Sequence, residues 1–384
     1  MKLSSFSIGK VWKELHRFES LDKKESSIVF YAENKASMNH FKRLISELTE
    51  TMNLNICYVT SVNDDPMLSS KNPKIKSFYI GDGTVRTKFF LTLKARILIM
   101  DMPDLEKFHI KRSKMYPVHY VYVFHSMFSV HSYLREGAID DYDTIFCVGE
   151  HHVKEIRETE KVYKLKPKEL VLYGFPRLDT LIQQRQNIMQ DNSKSKKLIL
   201  ITPSYGENNL LEVCGVELIN ILLKSNFKVL LRPHFKILKE SKELMKIINE
   251  KFGKNSDFIL EKGIIPSELF QSSTCMISDW SGISLEYTFT FERPVIFIDV
   301  PKKILNYNSE KISLEPIEIS IRHKVGHVIH PTKIEEIPNL ITSLNKNDKK
   351  IKEIRSKTVY NIGKSAIIGA EYIQQLDKKL SFKN

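Results

Sequence analysis

Short apolar runs recur along this chain, each followed by a polar or glycine- and proline-bearing turn and then by residues of helical periodicity. In the first half the runs predict strands at Ile28–Tyr31, Ile56–Thr60, Ile75–Ile80, Ile97–Met100, Tyr120–Phe124, Thr144–Val148 and Leu170–Tyr173, with helices such as Met38–Thr51 and His151–Lys161 between them. A second series predicts strands at Leu198–Thr202, Phe227–Leu231, Phe258–Leu260, Thr274–Ile277 and Val295–Ile298. Its helices fall near Asn209–Ser225, Ile237–Lys251 and Ser281–Phe291. Alternation of this kind implies α/β domains with largely parallel sheets covered by helices on both faces. The polar stretch Gln183–Lys197 has almost no apolar periodicity in its second half and reads as the linker. The expected domains are therefore 1–185 and 198–335, with a basic helical tail over 336–384 that crosses back to the first domain. Gly363 and Gly369 are expected to loosen or bend that tail. Residues 10–25 form an amphipathic pattern with Val11, Trp12, Leu15 and Phe18 on one side; docking on the protein body, a membrane interface and another chain are the three outcomes, docking the commonest.

Composition narrows the partners without choosing among them. At 384 residues, 42% hydrophobic and 27% charged, the chain can bury two ordinary cores. No apolar run approaches the roughly 20 residues that cross a bilayer, and no signal-peptide pattern opens the chain, so a cytoplasmic protein is expected. The net charge of +13 suits an anionic ligand, an anionic membrane face or nucleic acid. Dispersed basic residues and the lack of a standard motif argue against nucleic acid. Cys57, Cys147, Cys214 and Cys275 are widely spaced, without metal-ligand spacing, and read mostly as buried free thiols.

The chemistry-bearing clusters fall at predicted strand ends, facing an expected interdomain cleft. Ser278-Asp279-Trp280-Ser281-Gly282 is a tight turn entering a helix. Its amides and the Ser278 and Ser281 hydroxyls, facing outward, would suit a phosphate; the alternative is an ordinary helix capped by Ser278 or Asp279. His125 follows the Tyr120–Phe124 strand, where an imidazole is suited to take a proton from a hydroxyl or to brace a strand end, with His131 a nearby competitor. Arg232 and His234, flanking Pro233, are placed to donate to a diphosphate. Thr202 and Ser204 belong to a further turn expected to line the cleft. Arg177 and Asp179, in Gly174–Asp179, have supporting roles, Asp179 pairing with Arg177 or capping the helix. Gly81–Thr84 is read as a turn, since it lacks the dinucleotide fingerprint. Asp140, Asp141 and Asp143 read as a solvated turn, and no metal site is expected.

Taken together, Phe124-His125-Ser126, Gly174–Asp179, Thr202–Ser204, Arg232–His234, Ser278–Tyr287 and Glu292–Phe297 resemble the CDP-glycerol glycerophosphotransferases, the teichoic acid primases and polymerases of the bacterial envelope. The resemblance spans about residues 118–300. It implies a GT-B fold of two Rossmann-like domains, a CDP-polyol donor and no resident cofactor. Transfer goes to a hydroxyl of a membrane-carried glycan, which implies work at the inner face of the membrane. His125 lines up with the family's catalytic histidine, Arg232 and His234 with its basic motif beside the donor phosphates, and Ser278, Ser281 and Gly282 with its phosphate turn. The chain departs in having Phe124, Ser126 and Met127 around the histidine, Trp280 for tyrosine, Gly282 for serine and Glu286 for aspartate.

Three functions follow. The first is transfer of a polyol phosphate from a CDP-linked polyol in envelope or capsule synthesis. The second keeps the fold but uses a nucleotide sugar, as an inverting glycosyltransferase; Glu286 near the ribose fits either donor. The third, resting on charge alone, is a non-catalytic anion- or membrane-binding protein.

Overall fold

The computed structural model describes residues 5–186, 196–263, 267–302, 305–344 and 349–382. The chain divides into two compact units, one of Met1–Asp179 with Asn306–Ser313 and Thr358–Asn384, the other of Thr180–Leu305 with Leu314–Lys357. Most of the expected linker, residues 187–195, lies outside the described residues.

The first unit holds β1 (Ile28–Ala32), β2 (Ile56–Thr60), β3 (Ile75–Tyr79), β4 (Ile97–Met100), β5 (His119–Val123), β6 (Thr144–Cys147) and β7 (Glu169–Leu172). They pair in the order β3-β2-β1-β4-β5-β6-β7, every pair parallel. The inner strands β2, β1, β4 and β6 are buried along their whole length, and β5 except at His119, as a sheet covered on both faces requires. Strand order reverses between β1 and β4, so the connections leave a crevice at the carboxyl ends of those two strands.

The second unit repeats the plan with β8 (Leu198–Thr202), β9 (Lys228–Leu231), β10 (Phe258–Leu260), β11 (Cys275–Ser278), β12 (Val295–Ile298) and β13 (Gly326–Ile329). Its order is β10-β9-β8-β11-β12-β13, again all parallel, with the reversal between β8 and β11. Strand β13 has no counterpart in the hydrophobic pattern. It is a short edge strand, half-buried, that opens on a glycine because a Cβ at Gly326 would lie 2.0 Å from the Val295 carbonyl oxygen.

The amphipathic N-terminal segment is a helix over Ser5–Glu19 that docks on its own unit. Val11, Leu15 and Phe18 are buried, and the Phe18 ring packs edge-on against Phe78 and Phe89 at 5.4 and 5.1 Å. The C-terminal region is two helices, Lys349–Thr358 and Ser365–Ser381. Gly363, at φ +80, sits in the break between them. Gly369 does not bend the second helix, against the expectation; it lets the helix approach the sheet, where a Cβ would stand 2.3 Å from the Tyr173 ring. Ala370, Ile373 and Leu376 of this helix join Phe41 and Leu44 in the first unit's core, and Arg96 grips Asp377 through two bonds of 2.7 and 2.9 Å. All four cysteines are buried and free. The Asp140–Asp143 segment is a turn before β6, and the Asp143 carboxylate is taken by Arg112 at 2.9 Å.

Candidate active site

In the first unit the polar groups gather at the carboxyl ends of β1, β4 and β5. Phe124 is buried against the His152 ring, 3.9 Å between centroids, which fixes where the chain leaves β5 and so where the next side chain points. His125 Nδ1 lies 3.2 Å from the carbonyl oxygen of Asp101, the residue that follows β4. A carbonyl only accepts, so Nδ1 carries the proton and Nε2 keeps its lone pair. Burial lowers the His125 pKa, and the bond to the Asp101 carbonyl partly opposes this. The imidazole is therefore neutral at neutral pH, the state a base requires.

Three neighbours complete this cluster without having been visible as motifs. The His40 ring, 7% exposed, stands 6.3 Å from the His125 ring, and its Nδ1 has no hydrogen-bond partner among the described residues. Burial first, then the neighbouring His125 and the Arg177 charge, hold the His40 pKa well below the usual imidazole range. Ser37 Oγ donates to the Asp101 carboxyl at 3.0 Å, and burial pushes that carboxyl up to about 7. His40 and Ser37 come from the segment after β1, so only the switch in strand order brings them beside His125. His131, the competitor, is buried elsewhere, with Nδ1 3.0 Å from Glu155 Oε2.

Arg177 is half-buried at the start of the helix Pro176–Gln186, and its charge reaches His40. Asp179 is structural, but through a distant element: its carboxylate accepts from the amides of Gly363 and Ser365, at 2.7 and 3.3 Å, and so holds the start of the last helix. Gly174, at φ +101, makes this junction possible, because a Cβ there would stand 2.3 Å from the Tyr360 carbonyl oxygen.

In the second unit the turn after β11 is built differently from the expectation. Ser278 is the last residue of β11, fully buried, and its hydroxyl donates to the Thr202 carbonyl at 2.6 Å instead of facing outward. Asp279 is buried too and does not cap the helix that follows it. Its oxygens accept from Ser204 N at 2.6 Å, Ser204 Oγ at 3.0 Å and Leu210 N at 2.9 Å. Burial raises the Asp279 pKa, and these donors oppose the rise. Ser204, Ser278, Asp279 and the Thr202 carbonyl thus tie the loop after β8 to the turn after β11, across the switch point, while the buried Thr202 hydroxyl has no hydrogen-bond partner among the described residues. The helix Ile283–Phe291 starts from Gly282, without a side-chain cap. Ser281 and Gly282 stay half-buried at its opening, where first-turn amides and the helix dipole favour an anion. Glu286, 8% exposed, lies in its first turn.

The loop after β9 adds cations. Arg232 Nε donates to the Gly263 carbonyl at 3.0 Å, which orients the guanidinium. His234 stacks on Tyr205 with centroids 4.5 Å apart, and the Lys236 ammonium sits 4.1 Å over the same tyrosine ring. His234 Nδ1 accepts from Lys236 N at 3.2 Å, so in the neutral ring the proton is on Nε2. The two histidines are therefore opposite in kind: His125 presents a lone pair, His234 a donor. Tyr205 belongs to the turn after β8 that was expected to line the cleft, whereas Lys236 was missed because it carries no motif.

A search of curated proteins finds no significant match. Among solved structures, one of the wall teichoic acid polymerase TagF aligns with TM-score 0.61 at 14% identity, covering 97% of this chain and 95% of that one. A TagF variant soaked with CDPG aligns with TM-score 0.55 at 15% identity, covering 96% and 94%. The UDP-GlcNAc 2-epimerase of Methanocaldococcus jannaschii, in complex with UDP-GlcNAc and UDP, aligns with TM-score 0.56 at 15% identity, covering 92% and 99%. Identities this low show the fold, a GT-B-like pair of Rossmann-like domains. The family model described as CDP-Glycerol:Poly(glycerophosphate) glycerophosphotransferase matches residues 13–357, nearly the whole chain. The protein accordingly belongs to the CDP-glycerol:poly(glycerophosphate) glycerophosphotransferase family.

Proposed function

We propose that this transferase moves glycerol phosphate from CDP-glycerol, a substrate and not a resident cofactor, to a hydroxyl of an envelope glycan or polymer. Family membership supports the reaction class, and the orientation of His125 carries the assignment of the base. The acceptor oxygen attacks the phosphorus that bears the glycerol. Its proton passes to His125 Nε2, and the bond from that phosphorus to CMP breaks, with CMP leaving on the electron pair. Arg232, the Nε2–H of His234 and the opening of the Ile283–Phe291 helix at Ser281 and Gly282 neutralise charge on the diphosphate and the departing CMP. Thr202, Ser204, Ser278 and Asp279 hold that half-site in shape, and the Glu286 carboxylate, in the first turn of that helix, is the acceptor for a ribose hydroxyl in this reading.

A donor screen tests this. CMP release is expected from CDP-glycerol, falling by roughly 10²–10⁴ in His125→Ala, the usual scale for lost acid–base help. Release of UDP or GDP from a nucleotide sugar, with CDP-glycerol inert, would replace the reading with glycosyl transfer. Among the described residues no helix is long and apolar enough to cross a membrane. The net charge of +13 supports peripheral contact with an anionic leaflet, where each well-placed cation contributes about 1 kcal/mol. Co-sedimentation with anionic but not neutral vesicles is the check.

A further inference from the structure

The second unit carries an open pocket of about 620 Å³ whose lining includes none of Arg232, His234, Ser281, Gly282 and Glu286. Its walls come from Trp280 in the turn after β11, from the loop after β12 and from the segments flanking β13. Arg232 and His234 follow β9, on the other side of the switch point. From β9 to β12 is three strand steps, about 14 Å at the usual spacing, so the pocket adjoins the Ser281–Gly282 end of the donor half-site and lies well away from its Arg232 and His234 end.

Arg322 is part of the lining. It is 5% exposed, with its guanidinium carbon 4.1 Å from the Trp280 ring centroid, Nη1 3.0 Å from Asp299 Oδ1 and Nη2 3.3 Å from the Ile298 carbonyl oxygen. Its Nε is buried with no acceptor among the described residues. A buried guanidinium with an unmet donor is costly unless something else completes it. Lys302 and Lys333 add two cations to the lining. His330 Nδ1 accepts from Thr332 N at 3.3 Å, so its neutral ring carries the proton on Nε2, as in His234. Asp299 and Glu336 belong to the same lining and supply carboxylate oxygens, which accept and do not donate. Cations beside carboxylates match a ligand that carries phosphate and free hydroxyls together, and match a bare anion or a neutral sugar less well.

We propose that this pocket binds a phosphodiester-linked polyol unit of the acceptor, separately from the donor diphosphate; the inference rests on the reaction proposed above. The probe is a short glycerophosphate oligomer, titrated calorimetrically into the full chain with and without saturating CDP. The oligomer is expected to bind in both conditions. Lys302→Ala/Lys333→Ala should weaken it at least tenfold and raise the acceptor KM, with the donor KM unchanged and the fold intact by circular dichroism. Displacement by CDP would overturn the proposal by placing the oligomer in the donor site, and an unchanged affinity in the double variant would place it elsewhere. Inorganic phosphate binding as tightly as the oligomer would also overturn it, reducing the pocket to a plain anion site. Vesicles with anionic headgroups that compete for the pocket, where free oligomer does not bind, would assign its phosphate to lipid and refute the polymer source. Oligomer binding without CMP release from CDP-glycerol would sink the reaction and leave the pocket standing; CMP release without oligomer binding would do the reverse.

Discussion

His125 Nδ1 donates to the Asp101 carbonyl oxygen across 3.2 Å, and that one contact decides which nitrogen can act as base. Because the acceptor is main chain, the tautomer survives substitution of the Asp101 side chain. Burial lowers the His125 pKa, so the neutral form persists below the ordinary histidine value of about 6.5. The acid limb of kcat/KM is expected below that value, activity falling as pH drops through it. A limb at or above 6.5 that disappears in no His125 variant would assign the titration to another group.

Asp101 makes the opposite contribution to stability. Its folded-state pKa of about 7 stands above the unfolded value of 3.8, so the unfolded chain ionises first as pH rises between them. Over that window the buried carboxyl costs stability progressively, and above 7 the cost is constant. Asp101→Asn should therefore raise Tm relative to the parent protein more at pH 8 than at pH 4. The comparison within each pH cancels the buried histidines, whose lowered pKa values act in the other direction. A difference in Tm that does not change with pH would show that Asp101 does not titrate in this range.

Asp279→Ala removes the acceptor of two main-chain amides and one hydroxyl. Each buried donor left unmet costs about 1–3 kcal/mol, so a loss of about 3 kcal/mol or more is expected in urea unfolding. A loss below 1 kcal/mol would mean that water replaces the carboxylate and that the loop after β8 is not held by it.

Arg232→Ala should raise the donor KM roughly ten- to a hundredfold, the scale of one charge-assisted hydrogen bond. Steady-state kinetics with varied CDP-glycerol reads this directly. Arg232→Lys is expected to restore only part, since an ammonium lacks the planar fork that the Gly263 carbonyl orients. An unchanged KM in Arg232→Ala would remove the residue from the donor half-site.

Gly369→Ala tests the packing of the last helix. Alanine improves helix propensity by about 1 kcal/mol, yet its Cβ would meet the Tyr173 ring at 2.3 Å. Overpacking of about 1–3 kcal/mol should outweigh the gain, lowering Tm. A rise in Tm would show that the ring moves aside freely.

Local chemistry along the chain determined most of the strands, the parallel α/β class and the positions of His125, Arg232 and the turn after β11, because apolar periodicity and strand-end polar residues are properties of neighbours in sequence. It did not reveal β13, whose start depends on Gly326 passing close to Val295, a contact between residues far apart in the chain. It also assigned outward-facing hydroxyls to Ser278 and the group around it. Whether a serine faces solvent or a carbonyl 76 residues away is decided by the order in which strands pair. The same pairing order brings Ser37, His40 and Asp101 beside His125, sets its tautomer, and gathers Trp280, Arg322 and Lys333 around one pocket.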